Sequence, residues 1–179
     1  MPGAIDIVIP VLNEERTLAE SVATMDSICG GRFVFGVGLG YRDEEYTAFG
    51  TERGQRVGRL RESLEVMKRL WTEEEVEHQG KYYRVPRVKP STRPVQKPHP
   101  PVLLGGFSPN VFKRVVAWAD GWMPIRISPE QVRKGRATLT QLAEAAGRDP
   151  KSISLNVCNV SPDRDTVKRY EEAGADAVD

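Results

Sequence analysis

The chain has 179 residues, 39% of them hydrophobic and 28% charged, with a formal net charge of +1. That balance supports a folded core and argues against disorder. It also argues against strong electrostatic attraction to nucleic acid or to an anionic membrane.

The N-terminal run Ile5-Asp6-Ile7-Val8-Ile9-Pro10-Val11 is β-branched and closed by proline, the pattern of a buried strand. It is too short to span a bilayer and lacks the basic flank of a signal peptide, so a cytoplasmic location is expected. Asn13 offers an N-cap, and Leu18, Val22 and Met25 give the following helix an apolar face, ended by Gly30-Gly31. A second strand, Phe33 to Gly38, runs into the turn Gly38-Leu39-Gly40-Tyr41. A polar loop from Arg42 to Thr51 leads to a long helix with Val57, Leu60, Leu64, Met67 and Trp71 on one face and a Glu65–Arg69 pair across one turn.

The stretch from Thr72 to Pro101 holds six prolines, which forbid a long helix or a central strand. Residues 72–101 are read as an insertion or lid within a single domain covering 1–179. Val102-Leu103-Leu104 is a buried strand ending at Gly105-Gly106, and Ser108-Pro109 resembles an N-cap with proline at the first helical position. Trp122 to Ile125 is a short strand, and Ser128-Pro129-Glu130-Gln131 is a capping box. Ile153, Leu155 and Val157 alternate with Ser154 and Asn156 as a further strand. A helix carrying Val167, Tyr170 and Ala173 follows, and Ala177-Val178 begins another strand. Alternating strands and helices predict an α/β fold with a parallel sheet, either doubly wound or part of a (β/α)8 barrel.

Ligands of such folds sit at the carboxyl ends of the strands. Glycines at Gly36, Gly38 and Gly40 either let a flat ring approach the backbone or merely permit a tight turn, and the local pattern favours the turn. Gly105-Gly106-Phe107-Ser108 favours function, because two glycines before a capped helix expose backbone N–H groups to an anion or phosphate. His78 and His99 lack metal-ligand spacing and read as surface or loop residues, and no metal site is expected. Asp163-Arg164-Asp165 resembles a metal-binding pair but fits a helix start. Arg53, Arg56, Arg59 and Arg61 alternate with glutamates as a solvated face. Cys29 and Cys158 read as buried free thiols in a reducing compartment.

Several pieces together resemble the luciferase-like monooxygenase superfamily. They are Gly30 to Gly38, Gly40 to Tyr46, Leu70-Trp71-Thr72, Gly80-Lys81-Tyr82-Tyr83, Arg93 to Pro101, Asp120-Gly121-Trp122 and Tyr170 to Gly174, in the family's order. The resemblance implies a parallel (β/α)8 TIM-barrel type using FMN or the deazaflavin coenzyme F420. Its chemistry would be hydride transfer at the ring, or oxygen activation with FMN, on a small organic substrate. By position it places Gly105, Gly106, Phe107 and Ser108 at the cofactor phosphate, and Gly38, Gly40 and Tyr41 at the ring or substrate. No catalytic acid or base transfers. A full barrel has about 250 residues. The resemblance therefore implies an incomplete barrel of five to six strands, truncated at both ends, and a homo-oligomer such as a dimer to cover its open edges. A non-catalytic flavin-binding or structural remnant is the alternative. The segment Asp6 to Leu18 also resembles the opening of a family-2 glycosyltransferase, which would bind a nucleotide sugar. No carboxylate cluster accompanies it, so it is treated as a lookalike.

Overall fold

The computed structural model describes residues 15–161 and 163–178. The expected first strand and the Asn13 cap lie outside the described residues. In chain order the elements are α1 (Glu15–Ile28), β1 (Phe35–Val37), α2 (Asp43–Ala48), α3 (Arg56–Thr72), β2 (Val76–Gln79), β3 (Arg84–Val88), β4 (Val102–Leu104), α4 (Val111–Trp118), β5 (Gly121–Trp122), α5 (Pro129–Ala145), β6 (Ser154–Val157), α6 (Arg164–Glu172) and β7 (Ala177–Val178). Two compact units emerge. Among the described residues, one contains residues 36–38 and those from 101 on; the other contains residues 15–35 and 39–100.

The first unit is a five-stranded sheet in the order β1-β4-β5-β6-β7, and the β4–β5, β5–β6 and β6–β7 pairs are parallel. The α/β barrel-type class is therefore the observed one, as an open arc: among the described residues β1 and β7 end the sheet and do not pair with each other. One face is covered by helices. There Leu104, Leu155 and Val157 are buried, and Trp122 meets Phe112 edge-on at 4.8 Å between ring centres. Gly135 of α5 leaves room for the Trp122 ring, which a Cβ would overlap. Ser128 caps α5 as expected: its hydroxyl accepts from Gln131 N at 3.3 Å, and Gln131 Oε1 accepts from Ser128 N at 2.8 Å. Asp163 caps α6 by accepting from Thr166 N at 2.9 Å, so this acidic pair is a helix start. Hydrogen bonds from the Thr166 side chain and then from its amide, joined by one from Ser161, hold the Asp163 carboxyl below its ordinary range. Arg148 closes the other end of α4, its Nη1 donating to the carbonyls of Val115, Val116 and Ala119 at 3.2, 3.0 and 2.8 Å.

In the second unit α1 packs on α3. The buried stripe of α1 is Ala19, Val22, Ala23 and Asp26, turned from the expected Leu18-Val22-Met25 face. The two alanines let α3 come close, and Trp71 Nε1 donates to Ala19 O at 2.9 Å. Buried Asp26 accepts from Gln96 N at 2.9 Å and from Gln96 Nε2 at 2.7 Å, which ties the proline-rich stretch to α1. That stretch also contains the antiparallel hairpin β2–β3. Pro86 is tolerated in β3 because a two-stranded ribbon has an open edge, where a missing N–H costs nothing. The expected polar loop from Arg42 to Thr51 contains α2, whose first turn carries Asp43, Glu44 and Glu45 at the positive end of the helix dipole. Arg69 pairs with Glu73 at 2.9 Å, in place of the expected Glu65, because its guanidinium also reaches Glu77 O at 3.1 Å on the hairpin.

Candidate functional site at the carboxyl end of the sheet

The carboxyl ends of β1, β4, β5 and β6 bring together Gly36–Gly38, Gly105–Ser108, Met123–Arg126 and Cys158–Asn159. Gly105 N donates to Val37 O at 2.8 Å, so this amide continues the ladder and is not offered outward, contrary to expectation. The next three amides differ. Gly106, Phe107 and Ser108 are exposed, and their N–H groups donate to no described residue. Gly106 has φ 120°, a conformation that L side chains rarely adopt, and its carbonyl is pinned by Trp122 Nε1 at 3.0 Å. One polar rim of three amides therefore follows β4, held from behind by a buried indole.

The expected Ser108 cap is not formed. α4 begins at Val111, two residues later than predicted, with Asn110 preceding it in an α-helical conformation. Ser108 instead makes a local turn, its hydroxyl accepting from Asn110 N at 3.3 Å and its carbonyl from Val111 N at 2.7 Å.

On the sheet face away from the helices, Gly121 leaves room for Ser154 and Leu103. Gly36 leaves room for Met123, whose Cε would stand 2.5 Å from a Cβ there. Asn156 alternates with buried Leu155 and Val157, so its side chain shares this face with Ser154. Its Oδ1 is buried and has no hydrogen-bond partner among the described residues. An orphaned buried acceptor beside small residues fits a ligand group that donates a hydrogen bond. The three unused amides fit a phosphate. Sequence reasoning missed Asn156 as a site residue, although the strand alternation already placed it opposite the buried positions.

Gly38 belongs to this unit and has open space at its Cα. Gly40 and Tyr41 belong to the other unit. Gly40, at φ 70°, lies against Tyr46, whose hydroxyl donates to Leu39 O. Tyr41 is exposed and carries the Arg42 guanidinium 5.6 Å above its ring centre.

His78 departs from the surface-or-loop reading, whereas His99 lies in a loop. His78 lies in β2 and shares Glu62 Oε1 at 3.2 Å, with both side chains 12% exposed. His99 is half-buried with its ring 5.8 Å from that of Trp71. Arg59 is likewise not simply solvated, since it stacks over Tyr82 and Tyr83 at 5.6 and 5.2 Å. Cys29 and Cys158 form no disulfide, and both are half-buried, not fully buried. No described helix is long and apolar enough to cross a membrane.

A parallel α/β sheet with a glycine-shaped, polar carboxyl end defines an α/β protein of the barrel type, with its ligand end at the strand termini. The chain belongs to the luciferase-like monooxygenase family, whose model matches residues 7–177 and so includes all but the first residue of the segment that resembles a glycosyltransferase. Uncharacterized proteins of Mycobacterium tuberculosis and Mycobacterium bovis are 36% identical over 178 residues, a match covering 96% of this chain and 60% of theirs. The chain thus spans well under two thirds of the length of these relatives. Among solved structures, the monooxygenase RslO1 from Streptomyces bottropensis superposes with a TM-score of 0.71 at 27% identity, over 93% of this chain and 55% of that one. An F420-dependent secondary alcohol dehydrogenase in complex with an F420-acetone adduct shares the fold with a TM-score of 0.71 at 23% identity, over 90% and 51% of the two chains.

Proposed function

We propose that this chain forms the phosphate-binding part of a luciferase-like oxidoreductase that uses FMN or coenzyme F420 to act on a small organic substrate. The observation that carries this reading is the row of unused amides at Gly106, Phe107 and Ser108, at the end of the sheet where such folds bind ligands. Family membership and the likeness to a monooxygenase support it. Bound there, the cofactor supplies hydride transfer or oxygen activation, and the protein supplies orientation and a restricted solvent environment.

The roles of the chain's own residues follow from their positions. The amides of Gly106, Phe107 and Ser108 would hold phosphate oxygens. Trp122 would keep the turn from collapsing by fixing the Gly106 carbonyl. Asn156 Oδ1 would accept from a ligand N–H. Gly38 would leave space for the ring system. The roles of Gly40 and Tyr41 at ring or substrate rest on the family resemblance. The sheet edges that β1 and β7 form among the described residues support self-association as a dimer, and two cysteines outside any disulfide support a reducing, cytoplasmic setting.

Gly106→Val tests the phosphate assignment. A Cβ at this position meets nothing within 4 Å, so crowding plays no part; the φ of 120° does. A β-branched residue there is strained by roughly 1–3 kcal/mol, and the turn will rearrange to relieve it. FMN binding should weaken about tenfold or more, with riboflavin, which lacks the phosphate, much less affected. Equal losses for both ligands would remove the phosphate from this turn.

A further inference from the structure

Among the described residues, Arg126 at φ 56° and Asn159 at φ 60° are the positions other than glycine with a left-handed backbone. They are neighbours in space. Ile125 and Cys158 form a parallel bridge beyond β5 and β6, Cys158 N donates to Pro124 O at 2.9 Å, and Arg126 N donates to Cys158 O at 3.0 Å. Both left-handed residues therefore come directly after the last rung, at the carboxyl ends of adjacent strands. The conformation strains an arginine, a strain glycine would avoid. Strain of this kind collects where a side chain must be aimed.

What the strained pair achieves is visible in its side chains. With its amide oxygen turned toward Arg126, Asn159 accepts from Nε at 2.9 Å and Nη2 at 2.8 Å. A neutral amide orients the guanidinium without neutralising it, and no described carboxylate pairs with Arg126. Arg126 and Asn159 are both exposed, and the adjoining Ile125 side chain is 50% exposed, an apolar surface beside an uncompensated cation. Guanidinium favours oxyanions with two oxygens in one plane.

We propose that Arg126, aimed by Asn159, binds the carboxylate of a small organic acid whose apolar part lies on Ile125. This anion is distinct from the one expected at the glycine turn. Asn159 draws the guanidinium toward the end of β6, whereas Gly105–Ser108 follow β4, on the other side of β5. The inference rests on the proposed function only in taking this end of the sheet as the ligand end, and it names a substrate class for it.

The test uses the full chain, titrated calorimetrically with octanoate, 1-octanol and FMN in parallel, in wild type, Arg126→Gly and Asn159→Gly. Glycine keeps a left-handed backbone without steric cost, so both variants should melt at or above the wild-type temperature. Wild type should bind octanoate about tenfold or more tighter than octanol, Arg126→Gly should bring octanoate down to octanol, and Asn159→Gly should weaken it severalfold. FMN affinity should change by less than about twofold in either variant. Octanoate binding indifferent to Arg126→Gly, or equal to octanol binding in wild type, would overturn the proposal. Loss of FMN binding alone in Arg126→Gly would reassign the guanidinium to the cofactor phosphate. A much lower melting temperature in that variant would make the pair a structural clasp. Octanoate binding without FMN binding in wild type would retain this inference and defeat the cofactor reading.

Discussion

Glu62 of α3 is the buried carboxylate on which the hairpin turn depends, and removing it should cost far more than a typical surface charge. Its Oε1 accepts from Tyr83 N at 2.9 Å and from Tyr82 N at 3.1 Å, with His78 Nε2 3.2 Å away. A hydrogen bond to a charged group contributes about 1.5–3 kcal/mol, so three of them set a ceiling of several kcal/mol. Tyr82 and Tyr83 are only half-buried, and water replaces part of what is lost. Glu62→Ala should therefore destabilise by about 3 kcal/mol in urea unfolding, with the Tyr82 and Tyr83 amides losing exchange protection first. Gly80 supplies a second handle, because a Cβ there would overlap both Glu62 Oε1 and His78 Nε2. Gly80→Ala should cost about 1–3 kcal/mol in wild type and less in the Glu62→Ala background, where the imidazole has lost its partner and can move aside. Burial raises the Glu62 carboxyl pKa, but the amides of Tyr83 and Tyr82, helped by His78, outweigh it and hold the group below its usual range. Its stabilisation is thus complete above the unfolded value of about 4.3 and lost as pH falls through the lower folded value. Glu62→Gln should flatten the stability profile in that acid range. A Glu62→Ala cost under about 1 kcal/mol, or equal Gly80→Ala costs in both backgrounds, would refute this reasoning.

Two further outcomes follow from packing in the sheet unit. Gly135→Ala, which in an ordinary helix interior stabilises by up to about 1 kcal/mol, should here destabilise by about 1–3 kcal/mol, because the new Cβ meets the Trp122 ring. Thermal unfolding followed by near-ultraviolet circular dichroism reads both the stability and the displaced indole. Arg148→Ala should cost about 2 kcal/mol by leaving the Val116 and Ala119 carbonyls without the Arg148 donor, while Val115 O keeps the Ala119 amide, and Arg148→Lys should restore only part, since one ammonium cannot reproduce the guanidinium fork.

The parallel order of strands was legible because β-branched runs and helix starts alternate along the chain. The two Ser-Pro starts show where such reading stops. Ser128-Pro129-Glu130-Gln131 places glutamine where it can return a hydrogen bond to the cap. Ser108-Pro109-Asn110-Val111 places valine there, which cannot, and the helix starts later. α2 was hidden by its polarity, since six residues with no buried side chain give no periodic signal. At the site, the glycine turn after β4 was readable from composition, but the use of Gly105 N in the ladder was not. Arg126 carries no sequence mark, because a left-handed arginine is set by the tertiary frame and not by its neighbours; Asn159 is of a residue type that tolerates this conformation, but the type alone does not locate it.

Direct titration of the full chain with FMN and, separately, with coenzyme F420, followed by ligand fluorescence, tests the central claim. Saturable binding of one of them, weakened by Gly106→Val, is the predicted result. Binding of neither would mean that the amide rim after β4 holds no cofactor, and that the family fold serves here as scaffold alone.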